Sequence, residues 1–387
     1  MTIKSPSIHT GDDRVTVTYQ LSGNPDEALK RADEISVEQT IEFPKDLVDD
    51  GDIRTKIIGR IEECSQVDDE TTRVNISYAW DLCADELPQL LNVIYGNISI
   101  QPGIKVINLQ LPDIAKKTMP GPAFGIEGIR SAHRVYDRPF LATALKPMGL
   151  DAKSLAKMAY ELALGGIDII KDDHGLSNQH FAPFTERIKY CCEAVQNANS
   201  KTGLNCGYYP NITSPFAKFV ENAFFAQEYG ASGLLISPGL MGWDAVYWLR
   251  HNGVKLPVMS HPTFQGTYIV DPKIGFSHGV HYGGLMRLAG YDSSVFPYQG
   301  GRFSFTHDEC REIMTGCSEP FGNYPPILPA PGGGMKLERI DEIIRFFGLD
   351  CILLIGGDLH RTGNLTETMT MFQKAASLSS NRIGKNQ

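Results

Sequence analysis

A run of four polar residues, Lys171-Asp172-Asp173-His174, ends an apolar segment and has the residue types of a divalent-cation site. If the segment is a strand, alternation turns Lys171 and Asp173 to one side, and His174 can turn inward where the strand ends. A neutral lysine can add CO₂ to form a carbamate, whose oxygens are hard ligands of the kind Mg²⁺ prefers, and burial favours the neutral lysine. A Lys–Asp salt bridge at the strand end explains the same residues, and spacing alone does not separate the two interpretations.

Two further basic side chains, Lys146 and His261, each stand before a proline at the end of an apolar segment. Proline restricts the backbone there and does not suit continued strand pairing. A lysine and a histidine that face one pocket can move protons beside a cation-bound oxygen. Either residue alone is more typical of a structural role, so the catalytic interpretation depends on both meeting the Lys171 run.

Two glycine clusters, Gly332-Gly333-Gly334 and Gly356-Gly357, follow the last two apolar segments. Glycine lets backbone amides approach an anion closely, and the loops after strands seven and eight of a TIM barrel often bind phosphate. Tight turning would use the same residues. We predict a phosphate site because the two clusters occur as a pair.

His278 and His281 lie three residues apart in a helical segment, which is a spacing that metal ligands can use. No acid accompanies them on that face. We interpret both as structural residues.

From residue 138 onward the chain repeats one theme, in which a short apolar run is followed by a polar loop and an amphipathic helix. Eight such units over the rest of the chain predict a (β/α)₈ TIM barrel, and an open doubly wound sheet is the alternative. The predicted strands are residues 140–145, 167–173, 204–212, 233–238, 257–262, 293–298, 325–330 and 351–357.

A barrel places its active site at the carboxyl ends of the strands. The Lys171 run, His261 and the glycine clusters all lie at or just after the carboxyl ends of predicted strands. Asn211 ends the third strand, and Arg302 follows the sixth in Gln299-Gly300-Gly301-Arg302. We therefore expect Asn211 and Arg302 to contact substrate.

The segment before the barrel has the order β-α-β-β-α-β, which is typical of a ferredoxin-like α+β domain. Residues 119–130 are rich in proline and glycine and are interpreted as the linker. The expected organisation is a ferredoxin-like domain over residues 1–125 and a catalytic barrel over residues 126–387. The predicted N-terminal elements are strands 15–23, 53–64, 71–82 and 105–112 and helices 26–39 and 87–96.

Composition narrows the class of partner. The chain has 387 residues, 42% of them apolar and 21% charged, and a net charge of −9 without basic clusters, which disfavours nucleic acid or an anionic membrane as a partner. No apolar run reaches the ~18 residues of a membrane span, and the N terminus lacks a signal-peptide core, so we expect a cytoplasmic protein. The eight cysteines show no zinc-site spacing and are expected to be reduced thiols.

The motif Gly165-Gly166-Ile167-Asp168-Ile169-Ile170-Lys171-Asp172-Asp173 resembles strand two of the RuBisCO superfamily, and similarity extends from about residue 15 to residue 378. The resemblance implies a carbamylated Lys171 that holds Mg²⁺ together with Asp173 and the residue at position 174. It also implies a general acid/base role for Lys146, an active-site role for His261, and phosphate binding by the glycine clusters.

Glu38 and Asn97 resemble polar groups that the N-terminal domain of one subunit lends to the barrel of another. The resemblance thus implies a homodimer with active sites at the subunit interface.

Three departures from the carboxylases argue against fixation of CO₂. Pro262 stands where they have an arginine for the second phosphate, and Val295-Phe296-Pro297 stands where they have a histidine for the same group. The loop after strand six is too short to carry their mobile lysine, and Arg302 cannot be assumed to replace it. Because both groups for the second phosphate are missing, a substrate with one phosphate is expected.

The third departure is His174, which occupies the position of the metal-ligating glutamate. Imidazole removes one negative charge and is a softer ligand, so Mn²⁺, Zn²⁺ or Fe²⁺ also become candidates beside Mg²⁺. We favour an ion held by carbamylated Lys171, Asp173 and His174, and an ion-free site is the alternative.

The chemistry that the resemblance implies is proton removal next to a carbonyl, which forms an enolate. Our first hypothesis is a RuBisCO-like lyase that decarboxylates or cleaves a 3-oxo sugar-acid phosphate of the 3-oxo-isoapionate 4-phosphate type. The alternatives are a 2,3-diketo-5-methylthiopentyl-1-phosphate enolase, whose base lysine is replaced by Asn97, and a methylthio-sugar-phosphate isomerase. A catalytically silent binding scaffold is the alternative from a different class.

Overall fold

The structure is a computed structural model that describes residues 2–303, 305–361 and 363–384. Its N-terminal part forms a mixed sheet in the order β10-β4-β1-β3-β2, with helices on one face. The elements of this part are β1 (Arg14–Ser22), α1 (Pro25–Glu38), β2 (Arg60–Asp68), β3 (Thr71–Ala79), α2 (Leu87–Tyr95) and β4 (Ile104–Gln110).

The predicted ferredoxin-like order is confirmed, because β4, β1, β3 and β2 are antiparallel neighbours in the 4-1-3-2 arrangement. Strict alternation in β1 buries Val15, Val17, Tyr19 and Leu21 against the helices. The prediction of a strand over residues 53–64 was wrong in its first half. Ile53–Ile57 is a helical turn whose side chains are only partly buried, and strand pairing begins at Arg60.

The barrel consists of eight parallel strands, so the open-sheet alternative was wrong. Its sheet runs β7-β6-β5-β13-β12-β11-β9-β8, and a parallel bridge between Asn211 and Leu235 joins the two outer strands. The strands are β5 (Phe140–Leu145), β6 (Ile169–Asp172), β7 (Gly207–Tyr209), β8 (Leu234–Ile236), β9 (Val258–Ser260), β11 (Ser293–Pro297), β12 (Leu328–Gly332) and β13 (Ile352–Ile355).

Helices follow the strands and surround the barrel. Several begin at side-chain caps, such as the Asp151 carboxylate on the Ser154 amide and the Thr306 hydroxyl on the Glu309 amide. The helices are α3 (Ala115–Thr118), α4 (Gly125–His133), α5 (Ala152–Leu164), α6 (Phe184–Thr202), α7 (Phe216–Glu228), α8 (Pro238–Met241), α9 (Ala245–His251), α10 (Met286–Leu288), α11 (His307–Ser318), α12 (Ile340–Phe347) and α13 (Leu365–Gly384). Short 3₁₀ turns include Asn97–Ile100, Gly266–Tyr268 and Gly357–His360, and Val280–Leu285 is a π-helix.

Alternate strand residues fill the barrel interior. Helix α4 packs Ile126 and Ile129 into the same cluster, so apolar packing at the amino-terminal end leaves the carboxyl ends for polar residues. The interior residues are Phe140, Ala142, Ile169, Tyr209, Leu235, Met259, Val295, Leu328, Ala330 and Ile352.

One strand of the N-terminal sheet comes from the barrel part of the chain. β10 (Gly275–Phe276), which ends the loop after β9, pairs in parallel with Lys105 and Val106 of β4. The Tyr95 hydroxyl accepts a hydrogen bond from the Gly275 amide, 2.7 Å away. The N-terminal sheet therefore anchors a loop that leaves the carboxyl end of a barrel strand.

All eight cysteines are unpaired, and seven of them are buried. None of the helices in the described part of the chain is long and apolar enough to cross a membrane.

Candidate active site

Strand β6 divides the Lys171 run between two environments. Ile169 packs in the barrel interior and Ile170 packs outside it, so the alternation turns Lys171 inward and Asp172 outward. Lys171 is 2% exposed, and its Nζ donates to the backbone carbonyl of Asp172 at 3.0 Å. A lysine thus lies inside the barrel at the carboxyl end of its second strand.

Burial gives Lys171 an unusual basicity. Loss of hydration lowers its pKa to about 8, against the opposing influence of the Asp173 charge, and the Lys146 charge lowers it further. A lysine with this pKa has a substantial neutral fraction in mildly alkaline solution. The neutral amine is the form that can attack CO₂.

Asp173 lies between two of the predicted site residues. One carboxylate oxygen is 2.9 Å from Lys146 Nζ, and the other is 3.5 Å from His174 Nδ1 and accepts a hydrogen bond from the Gly175 amide. Burial works to raise the pKa of Asp173, but the Gly175 amide and Lys146 outweigh it, so the pKa is lowered. Asp173 is therefore a carboxylate with opposite charge beside it.

His174 and His261 form a stacked pair. Their ring centroids are 4.3 Å apart and the planes differ by 16°. Burial lowers the pKa of both imidazoles, and the positive charge of Lys171 acts in the same direction. Both rings are neutral near pH 7. Their stacking brings the carboxyl end of β6 into contact with the carboxyl end of β9.

The structure thus brings together Lys146, Lys171, Asp173, His174 and His261 at the carboxyl end of the barrel. The described residues show no salt bridge between Lys171 and an aspartate of its own run, and Asp173 pairs instead with Lys146. Lys171 remains available to be modified.

Asp172 is the centre of a buried network behind the strand. Its carboxylate accepts hydrogen bonds from the Tyr208 hydroxyl at 2.6 Å, from Arg187 Nε at 3.1 Å and from the backbone amide of Asn211 at 3.0 Å. Asp172 and Arg187 are both fully buried. This network ties β6 to β7 and α6 and so holds Lys171 in place. The sequence did not predict Tyr208 and Arg187 as part of the site, because they are remote from the Lys171 run in the chain.

Asn211 supports the loop after β6. Its side-chain nitrogen donates to the carbonyls of His174 and Leu176, each at 2.9 Å, and its oxygen accepts from the Thr213 amide. The side chain is 2% exposed. These contacts favour a role in positioning His174 over the predicted contact with substrate.

The two predicted phosphate loops follow adjacent strands, β12 and β13. Gly333 and Gly334 have φ of 98° and 66°, and a Cβ on Gly333 would lie 3.1 Å from Gly301 Cα of the loop after β11. A Cβ on Gly356 or Gly357 would meet no atom within 4 Å. One glycine pair thus packs against its neighbouring loop, and the other borders open space.

Arg302 is exposed and lies over the Phe303 ring, with 5.9 Å between the guanidinium and the ring centre. Glu38 and Asn97 lie on the N-terminal domain, where the Asn97 amide donates to the Glu38 carboxylate at 3.0 Å. Their bond to each other keeps them together as one polar feature.

The predicted structural role of His278 and His281 agrees with their surroundings. His281 is fully buried, its Nε2 is 2.6 Å from Gln265 Oε1, and burial lowers its pKa to about 3. His278 is buried beside Phe305. Neither ring lies in the Lys171 cluster.

A metal ion would need more than the unmodified side chains. Across residues 2–303, 305–361 and 363–384, no three His, Cys, Asp or Glu side chains group to hold an ion. Asp173 and His174 supply two ligands, and a carbamate on the buried, weakly basic Lys171 would supply the third. The donors present therefore fit a divalent ion only when Lys171 is carbamylated.

Comparison with known families identifies the barrel. Residues 125–370 match the family described as the ribulose bisphosphate carboxylase large chain, catalytic domain. The chain is 34% identical to ribulose bisphosphate carboxylase-like protein 1 of Rhodopseudomonas palustris, over 93% of this chain and 96% of that protein. It is 32% identical to 5-methylthioribulose-1-phosphate isomerase of Rhodospirillum rubrum (93% and 95% covered) and 31% identical to 2,3-diketo-5-methylthiopentyl-1-phosphate enolase of Bacillus pumilus (89% and 87%).

Solved structures show the same fold. A RuBisCO-like protein from Rhodopseudomonas palustris superposes with a TM-score of 0.85 at 32% identity, covering 95% of this chain and 98% of the other. A dimeric archaeal RuBisCO from Hyperthermus butylicus superposes with a TM-score of 0.85 at 25% identity, covering 98% and 93%.

Proposed function

The chain belongs to the RuBisCO large-chain superfamily, and we propose that it is a RuBisCO-like enzyme that forms an enolate from a carbohydrate with one phosphate. The observation that carries this proposal is the meeting of Lys146, Lys171, Asp173, His174 and His261 at the carboxyl end of the barrel. Proton removal beside a carbonyl needs a proton carrier and positive charge near the oxygen. This cluster contains both.

The residues divide the work as follows. The glycine loops after β12 and β13 hold the phosphate through backbone amides, which leaves the other end of the substrate at the Lys146–Asp173 pair. Lys146 moves the proton at the reacting carbon, and Asp173 orients it from 2.9 Å. His261 contacts a substrate oxygen, and the buried interior below Lys171 excludes water.

Carbamylated Lys171, Asp173 and His174 would hold Mg²⁺ or another divalent ion, and such an ion supplies positive charge next to the enolate oxygen. The resemblance of the segment Gly165–Asp173 to strand two of the superfamily implies this set of ligands. The depressed pKa of Lys171 supports the same modification here.

For the substrate we propose a 3-oxo sugar-acid phosphate that loses CO₂ or is cleaved at a carbon–carbon bond. The support is electrostatic: with neutral His174 in place of a glutamate, the site carries one negative charge fewer. A substrate that brings a carboxylate in addition to its phosphate is therefore accommodated better than in a glutamate-containing site. Lys146 returns the proton to the carbon after the bond breaks.

The second candidate is a methylthio-pentose phosphate, either as an isomerase or as an enolase substrate. It is favoured by the relatives from Rhodospirillum rubrum and Bacillus pumilus, whose names state such activities. The same proton transfer serves it. A silent scaffold is the third candidate, and the intact Lys146–Asp173 pair disfavours it.

We also propose a homodimer in which Glu38 and Asn97 of one subunit reach the barrel of the other. The Asn97–Glu38 bond presents both groups together on the surface, beside Ile100, which is 88% exposed.

The test is a substrate panel with Mg²⁺ and bicarbonate present. The panel contains 3-oxo sugar-acid phosphates, 5-methylthioribulose 1-phosphate and the methylthio diketone phosphate, and the readouts are CO₂ release and uptake of solvent deuterium beside the carbonyl. We expect turnover of the acids, and a loss of about 10²-fold or more in Lys146→Met. Lys157→Met, which changes a lysine that is 79% exposed on α5, is the matched control and keeps full activity.

Turnover of the methylthio compounds alone would overturn the choice of substrate. The absence of turnover, together with no thermal stabilisation by any phosphate in the panel, would overturn the enzymatic function itself.

A further inference from the structure

The loop after β9 contacts only one nitrogen of the His261 ring. The Thr263 backbone amide lies 3.2 Å from His261 Nδ1, and the Thr263 hydroxyl lies 2.7 Å from the same atom. A backbone amide can only donate a hydrogen bond, so Nδ1 must carry a lone pair. A lone pair on Nδ1 lets the hydroxyl donate to it as well, so the two contacts together stabilise the tautomer without a proton on Nδ1.

We propose that Thr263 is a positioning residue that holds His261 as its Nε2–H tautomer, so that His261 donates a hydrogen bond to a substrate oxygen and does not act as a base. This inference rests on the proposed function. With Nδ1 occupied by two donors, the single proton of the neutral ring lies on Nε2.

The other side of the ring is available for a ligand. Among the described residues, His261 Nε2 has no protein partner in the hydrogen-bond network, and stacking on His174 at 4.3 Å fixes the plane of the ring. A donor held in a fixed plane is suited to a carbonyl or enolate oxygen, where negative charge develops. Proton transfer at the reacting carbon then falls to Lys146.

The loop itself is held from two sides. The Gln265 amide donates to the His261 carbonyl at 2.9 Å, while its oxygen is 2.6 Å from His281 Nε2; Gln265 is 1% exposed. Further along, Lys105 donates to the carbonyls of Asp271 and Pro272. The position of Thr263 is therefore set by the tertiary structure and does not depend on the substrate.

Nitrogen-15 NMR of the histidine rings in the full-length protein without substrate tests the tautomer. The resonances of His261 are assigned by their loss in His261→Asn. We expect a protonated Nε2 and an unprotonated Nδ1. His133 is an internal control of the opposite kind, because its Nδ1 is 3.0 Å from the Asn205 carbonyl and must carry the proton. A protonated Nδ1 on His261 would overturn the proposal.

Variants at Thr263 test the positioning role. Thr263→Val removes the hydroxyl but keeps the amide, so we expect the Nδ1–H form of His261 to become detectable and kcat to fall about tenfold. Affinity for inorganic phosphate should not change. Thr263→Ser restores the hydroxyl and should restore both the tautomer and kcat.

A shifted tautomer with unchanged kcat would refute the donor role of His261. Failure of Thr263→Ser to restore either property would refute the role of the hydroxyl. If no phosphate in the panel is turned over, the proposed function fails, but the NMR spectrum of the unliganded protein still decides whether the tautomer is as proposed.

Discussion

Carbamylation of Lys171 should depend on pH in a way that an ordinary lysine cannot reproduce. Only the neutral amine attacks CO₂, and burial lowers the pKa of Lys171 to about 8. The neutral fraction is then about one tenth at pH 7, one half at pH 8 and nine tenths at pH 9. At a fixed concentration of dissolved CO₂, the initial rate of carbamylation should rise about tenfold between pH 7 and pH 9 and then reach a plateau.

A lysine with the ordinary pKa of 10.5 behaves differently. Its neutral fraction rises about a hundredfold over the same interval and is still rising at pH 9. The plateau and the smaller increase therefore identify the buried residue. Lys146→Met should move the plateau to higher pH, because the charge of Lys146 lowers the pKa of Lys171 and because its loss leaves Asp173 uncompensated. Lys157→Met should not move it.

The assay is carbon-13 NMR of the protein with labelled CO₂, in which the carbamate carbon gives a resolved signal. Lys171→Arg, which keeps the charge but cannot form the carbamate, should remove that signal. A signal that persists in Lys171→Arg would assign the carbamate to another lysine. A rate that continues to rise above pH 9 would show that burial does not set the basicity of Lys171, and the reasoning would be refuted.

Three further predictions follow from individual contacts. His174→Glu should bind Mg²⁺ at least about tenfold more tightly in calorimetry with bicarbonate, because a carboxylate adds a hard, charged ligand; equal affinities of His174→Glu and the neutral His174→Gln would contradict a ligand at this position. Tyr208→Phe should lower the free energy of unfolding in urea by about 1.5–3 kcal/mol, because the buried Asp172 carboxylate loses a donor. Tyr291→Phe is the control: the Tyr291 hydroxyl has no hydrogen-bond partner within the described chain, so its removal should lower the free energy of unfolding by less than about 0.5 kcal/mol. Gly357→Ala should unfold at the same urea concentration as the wild type but bind inorganic phosphate about tenfold more weakly, because its Cβ enters open space beside the amide; unchanged phosphate affinity would place the phosphate elsewhere.

Much of the fold could be predicted from local patterns. The period of two in β1 and the eight repeated strand–loop–helix units identify elements, and the order of elements leaves few topologies. Prediction failed at Ile53–Ile57, where an apolar segment of strand-like composition is a helical turn. Its residues are only partly buried or exposed, and strand pairing begins only at Arg60, so composition alone could not decide its structure.

Within the site, the sequence predicted the residue types and the strand ends that carry them. It could not decide between a cation site and a Lys–Asp salt bridge within the Lys171 run, because spacing fits both. The structure pairs Asp173 with Lys146, while Lys171 Nζ donates to the backbone carbonyl of Asp172. It also shows that the Asn211 side chain donates to the loop backbone, and the contact of Asn211 with substrate stays a prediction.

The amino-acid sequence by itself determined that this protein is a barrel with a lysine, a carboxylate and two histidines at its carboxyl end, because side-chain alternation and strand ends are local properties. Only the tertiary structure decided how basic Lys171 is, that His174 stacks on His261, and how Arg187 and Tyr208 support Asp172. These properties depend on burial and on contacts between residues that lie far apart in the chain. Closure of the barrel creates both the burial and these contacts.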